Sequence, residues 1–215
     1  MSTTCHCPRA HRRPRSGLSQ GHREERVGAA MSESPDAFLL GMFQKSGLAC
    51  GSVDEAWQRS EYLYPLLGWL TARFPEPMAF QICAEWLRLA ATRVEGAAAA
   101  ADLFAQARGE APRQGHVIAG ALGDLRNASI LEQKPAVAAF ADAASHLCEV
   151  WAAVTTNEAD AETNPWARAK AAAGAMVTAL VAQRGQDEKD PAAKAQARVE
   201  LTELLRAVRA AITVR

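Results

Sequence analysis

An all-α fold, a compact helical bundle, is what this sequence predicts, and three observations carry the prediction. The pairs Ser34-Pro35, Asn164-Pro165 and Asp190-Pro191 each set a short polar side chain before a proline. The polar group can accept from the free N–H groups of a first helical turn, and a proline placed there gives up an N–H that has no helical partner anyway. After each pair, apolar residues recur at three- and four-residue spacing, the mark of one helix face. No stretch shows the strict apolar–polar alternation of a half-buried strand.

The elements follow in order. After Ser34-Pro35, the run Asp36 to Lys45 carries Phe38, Leu39, Met42 and Phe43 and stops at Gly47. Ser52-Val-Asp-Glu55 has the capping-box form, with Glu55 placed to reach back over the helix start. A further helix is expected over Tyr62 to Phe74, with Pro65 in its first turn, where proline is tolerated. Pro75-Glu-Pro77 breaks the chain and opens the next helix, in which Ala79, Ile82, Cys83, Trp86 and Ala90 share a face while Phe80 and Leu87 lie off it. Apolar residues on two sides predict a central, buried helix. Leu103-Phe104 continues or restarts it to about Arg108, and Pro112 and Gly115 mark the next boundary. Ile118, Ala121, Leu122 and Leu125 form a stripe interrupted by Gly120 and Gly123, a pair whose small size suits close approach of a neighbour. The longest regular stripe is Val137, Phe140, Ala141, Ala144, Leu147, Cys148 and Trp151. A polar connector, Thr155 to Thr163, separates it from the last two helices, which carry Trp166, Ala169, Ala173, Val177 and Leu180, then Leu201, Leu204, Leu205, Val208 and Ile212. The total is roughly seven to nine helices joined by short turns.

The zero net charge of the 215 residues hides an asymmetry. Residues 1–30 hold six arginines against Glu24 and Glu25; removing these from 24 basic and 24 acidic residues leaves 18 and 22, a net of −4 for 31–215. Residues 1–30 have almost no large apolar side chains and no periodicity and are expected to be a disordered basic tail, with a translation start at Met31 as the alternative. Residues 31–215 are expected to form a single all-helical domain. A mildly acidic body has no electrostatic reason to bind nucleic acid or an anionic membrane. No apolar run approaches the ~20 residues of a membrane span, and the start lacks the apolar core of a signal peptide. Cys50, Cys83 and Cys148 are far apart in sequence, with the last two in apolar stripes, as suits free buried thiols in a reducing compartment. A cytoplasmic protein is therefore expected. Arginine outnumbers lysine and alanine is abundant, the habit of a GC-rich genome, so alanine runs count for little as helix evidence.

No established motif for chemistry emerges. His146 lies opposite the Val137–Trp151 stripe, with Asp142 four residues before and Glu149 three after. This constellation can shuttle protons near neutral pH, but it also suits a solvated helix face with ordinary ion pairs. The latter is expected, because no nucleophile or oxyanion site accompanies it. His116 reads as end-of-helix polarity. Cys5-His6-Cys7 with His11 lacks the second ligand pair of a structural zinc site. Gly115 to Gly120 has the P-loop spacing without its lysine. Glu158, Asp160 and Glu162 lack the glycine and terminal glutamate of a calcium loop. Trp57, Trp69, Trp86, Trp151 and Trp166 suit core packing, with an aromatic-lined ligand groove as the alternative. No catalytic, cofactor-binding or metal-binding residue is therefore assigned, and no cofactor is expected.

The segment Trp69-Leu-Thr-Ala-Arg-Phe-Pro75 through Pro77-Met-Ala-Phe-Gln-Ile-Cys83-Ala84 to Arg88 resembles a helix–loop–helix in an all-helical bacterial family of unknown function, in which the second helix reads Leu-Pro-x-x-x-Ala-Val-Trp-Trp-Ala-Cys. Ala169-Lys-Ala-Ala-Ala-Gly174-Ala-Met176 resembles a later helix of the same family. The likeness covers about residues 65–182, with Gln81 and Ile82 where the family has its tryptophan pair. It implies a helical accessory protein of the kind found near bacterial secretion-system genes, and it brings no activity with it. The expected function is a non-enzymatic adaptor or accessory protein acting through a protein partner. Its terminal helix, decorated by Arg198, Arg206 and Arg209, is the surface expected to dock that partner. A ligand-binding protein or enzyme with a pocket between helices is the alternative.

Overall fold

Nine helices make up the secondary structure of the described residues, with no strand among them. They are α1 (Pro35–Lys45), α2 (Val53–Arg59), α3 (Leu63–Thr71), α4 (Pro77–Ala91), α5 (Ala98–Gln106), α6 (Gln114–Leu131), α7 (Pro135–Thr156), α8 (Pro165–Gln183) and α9 (Pro191–Thr213). The computed structural model describes residues 34–109, 111, 113–157 and 163–214. The expected tail at 1–30, with Cys5, His6, Cys7 and His11, lies outside them, as does the connector segment holding Glu158, Asp160 and Glu162.

The three polar–proline starts act as caps. Ser34 Oγ accepts from Ala37 N–H at 3.2 Å, Asn164 Oδ1 from Trp166 N–H at 2.9 Å, and Asp190 Oδ1 from Ala192 N–H at 2.9 Å. The capping box at α2 is shifted by one residue. Ser52 Oγ accepts from Glu55 N–H, while Glu55 Oε2 accepts from Gly51 N–H at 2.7 Å rather than from the cap residue itself. That bond, more than the adjacent Arg59, holds the Glu55 carboxyl below its ordinary range. Helix α3 is shorter than expected: it ends at Thr71, and a turn through Phe74 leads to Pro75. Helix α4 does not run on toward Arg108; it ends near Ala91, the chain turns at Gly96 with φ of +82°, and α5 restarts at Ala98. Helix α7 runs to Thr156, so the expected connector begins two residues late.

Helix α7 occupies the centre. Its expected stripe is buried, and so are Ala138, Ala143, Val150, Ala152 and Ala153 on its other sides. Helices α6 and α8 flank it, α3 lies against α8, and α5 closes one end. Alone among the described helices, α7 has the length and composition to cross a membrane, but that surface is mostly covered by its neighbours. A ring cluster ties α4, α5 and α7 together: Phe80 stacks on Phe104 at 4.9 Å and meets Trp151 at 4.4 Å, while Trp151 donates from Nε1 to Ala107 O. Helix α9 crosses α4, α8 and α3 and buries Ala193, Ala197, Leu201, Leu205 and Val208. Buried Trp86 on α4 donates to Leu201 O at 3.2 Å, pinning the two helices.

The glycines sort differently from expectation. Gly120 and Gly123 have no neighbour close to where a Cβ would stand. The close approaches are at Gly115, where a Cβ would come 2.9 Å from Ala152 Cα, and at Gly68, where it would overlap the Trp166 ring. Gly174, on α8, faces open space. Gly68→Ala should therefore destabilise the fold by about 2 kcal/mol, through forced displacement of Trp166. Gly174→Ala should stabilise it by about 0.5–1 kcal/mol, through helix propensity alone. Urea denaturation of the two variants beside the parent checks both signs.

Candidate functional site

Helix packing turns the His146 constellation from a solvated face into a clamp across three helices. On α7, Asp142 and Glu149 each lie 3.7 Å from an imidazole nitrogen of His146. Arg126 of α6 reaches Asp142 at 2.9 Å, and Arg168 of α8 reaches Glu149 at 2.7 Å and His146 Nδ1 at 3.3 Å. All three α7 side chains are half-buried. Hydrogen bonding to His146, helped by the Arg168 charge and opposed by burial, lowers the Glu149 pKa from its ordinary 4.5. Sequence reading found the α7 trio but not Arg126 or Arg168, which come from other helices. The arrangement resembles a proton relay in composition, yet the described thiols do not join it. Cys148 donates to Gly115 O, and burial pushes its thiol up to about 12, so a thiolate is negligible at neutral pH. Cys83 is wholly buried and its pKa is likewise raised by desolvation. His116 meets Thr156 Oγ1 at 3.1 Å, away from His146.

Two of the three arginines expected to dock a partner, Arg206 and Arg209, are engaged within the fold. Arg206 donates to the carbonyls of Trp57 and Ser60. Arg209 pairs with Asp54 at 2.6 Å and lies over the Trp57 and Trp69 rings. Glu200 of the same helix holds Arg93 and Arg184. Trp69 donates to Asp36 at 2.7 Å, and Arg73 covers its ring while pairing with Glu76. Four of the five tryptophans are buried, and Trp166 is half-buried against Phe38 and over Gly68, so none forms an open aromatic groove.

One groove breaks this pattern of paired charge. It has a volume of about 450 Å³ and lies between the first turn of α3, the middle of α8 and the start of α9. Lys170 lies on the α8 side, one turn before Gly174, whose missing side chain leaves the floor open. Lys194 and Arg198 come from successive turns of α9, on one face of that helix. Tyr62 and Tyr64 close the α3 side. No carboxylate lines it. Among the described residues, none of these three cations is ion-paired, although Lys194 and Arg198 are half-buried. The acidic neighbours in sequence stay outside: Asp190 caps α9, and Glu61 is absent from the lining. Other half-buried arginines have partners, Arg73 in Asp36 and Glu76, Arg168 in Glu149, and Arg209 in Asp54. Tyr62, at the N-cap of α3, provides no side-chain acceptor to the first turn, so the backbone N–H groups there add positive potential to the same rim.

Lys194 and Arg198 thus face the groove with no carboxylate against them, and an anion placed there would supply the opposite charge. The groove was not visible in sequence, because Lys170, Lys194 and Arg198 look like ordinary helix-surface residues until α8 and α9 are placed side by side. Comparison of the chain with family models, curated proteins and solved structures finds no match.

Two measurements check this account. Thiol alkylation of the native protein, mapped by peptide mass spectrometry, should modify half-exposed Cys50 and leave Cys83 and Cys148 untouched until the chain unfolds. Glu149→Gln should cost on the order of 0.5–1 kcal/mol at pH 7, an amount discounted for the group's partial exposure. A carboxyl with a lowered folded-state pKa stabilises fully above its unfolded value of 4.5. Variant and parent should therefore converge as pH falls through the lowered value, as read from denaturation midpoints across pH.

Proposed function

We propose that this chain is a non-catalytic binding protein whose ligand is a small anion held between α3, α8 and α9. The observation that carries the reading is the pair of half-buried cations, Lys194 and Arg198, which share a carboxylate-free groove with Lys170. Everywhere else on α9 the charged side chains between helices meet a partner in the same fold, so the exception points outward to a ligand. Two cations on adjacent turns suit an anion with several oxygens, phosphate above all, because arginine presents a planar donor fork and lysine a point charge. The groove volume falls within the range of small-molecule sites.

A protein partner is the second reading, and the outer face of α6 favours it. Val117 and Leu131 are well exposed on that face, with Gly120 open between them and Ile130 beside the end. The terminal helix gives this reading little support, since its apolar face, Arg206 and Arg209 are spent inside the fold.

The test of the first reading is thermal unfolding with millimolar inorganic pyrophosphate at low salt. The parent should melt at a higher temperature with pyrophosphate than without it, by the linkage that stabilises any ligand-binding native state. Raising salt from about 50 to 200 mM should shrink the shift. The double variant Lys194→Glu with Arg198→Glu should melt identically with and without pyrophosphate. A parent that shows no shift at low salt sinks the proposal.

A further inference from the structure

The groove holds more than positive charge. Tyr62 is 52% exposed, the one exposed aromatic side chain among the described residues, and it lines this groove. Ser60 ties its backbone: Ser60 Oγ accepts from Tyr62 N–H and donates to Tyr62 O. The Arg198 guanidinium lies over the Tyr62 ring at 5.4 Å, so a flat cation and a flat aromatic surface stand together at the rim. Tyr64, beside them, directs its hydroxyl at Met42 Sδ, 3.8 Å away, a weak acceptor that leaves the donor underused. Burial raises the Tyr64 pKa, which keeps that hydroxyl protonated and able to donate.

Resting on the anion-binding reading of this groove, we propose that its ligand joins a phosphate group to a planar aromatic ring, a mononucleotide in chemical class. Lys170, Lys194 and the donor edge of Arg198 take the phosphate oxygens. The ring stacks against Tyr62 and Arg198, surfaces that accept any aromatic face without reading its edge. Gly174 lines the same groove and leaves open space for the ligand. A free nucleotide fits better than a nucleic acid strand. The local cluster of three cations attracts a short anion, whereas residues 31–215 carry a net charge of −4 that repels a long polyanion.

The experiment is isothermal titration of the full chain with ADP and with inorganic pyrophosphate, which present the same diphosphate with and without a ring. ADP should bind about tenfold more tightly than pyrophosphate, the size of one base-stacking contact. Tyr62→Ala should remove that advantage, bringing ADP and pyrophosphate to equal affinity; Tyr62→Phe should retain it. Gly174→Leu, which fills the floor from a position open to solvent, should weaken both ligands at least tenfold with no loss of melting temperature. Equal affinity for ADP and pyrophosphate, unmoved by Tyr62→Ala, would overturn the ring inference while leaving the anion-binding reading in place. Failure of both ligands to bind would overturn that reading and this inference with it. Tighter binding of an oligothymidylate than of ADP would refute the mononucleotide class and point to a strand.

Discussion

Close packing around the alanine-rich surface of α7 is the constraint on which the rest of the structure depends. Ala138, Ala141, Ala143, Ala144, Ala152 and Ala153 are buried on several sides of one helix. An alanine surface offers little apolar area per residue, so its burial requires neighbours to come near. Gly115 meets that demand on α6, where its bare Cα lies against Ala152. Helix α8 is brought close on the other flank, and its own start is set by Trp166 lying over Gly68 of α3. Thr71 reinforces that seam, donating or sharing its hydroxyl between Gly68 O and Pro165 O at 3.1 Å each. Larger side chains at these points would push α6 or α8 outward and open the centre.

Close packing also decides where charge can go. With α6, α7 and α8 drawn together, the polar edge of α7 is too narrow to stay solvated, and Arg126 and Arg168 are pulled in to balance Asp142 and Glu149. Helix α9 meets the same problem where it crosses α2, α3 and α4. There, carbonyls of Trp57 and Ser60 and the carboxylate of Asp54 satisfy its arginines. Paired ions between helices contribute modestly to net stability, yet losing one partner is costly, so such networks favour one arrangement of helices over others. Lys194 and Arg198 stand out against this background. They are half-buried by the same packing and have no carboxylate in return, and the groove they face is open at Gly174.

Much of the fold was legible in the residues. Ser34, Asn164 and Asp190 mark three helix starts because capping is a local bond between a side chain and the next few N–H groups. The faces of α4 and α7 were legible because burial imposes a period of 3.6 residues on the chain itself. Treating alanine as genomic habit hid the second and third buried sides of α7. Gly120 and Gly123 looked like the close contacts, while Gly68 and Gly115 made them. A helix shows which of its residues share a face, but not which face another helix covers.

By itself, the sequence determined the class of fold, the order of its helices and the stripes that form the core, since each depends on bonds and spacings within a few turns. Only the tertiary structure decided which charges meet. Arg168 reaches Glu149, and Arg209 reaches Asp54, across gaps of chain that carry no local signal. By the same route Lys170, Lys194 and Arg198 come together beside Tyr62. The physical reason is that hydrogen-bonded helices are specified locally, whereas a binding groove is the space left when helices distant in sequence pack side by side.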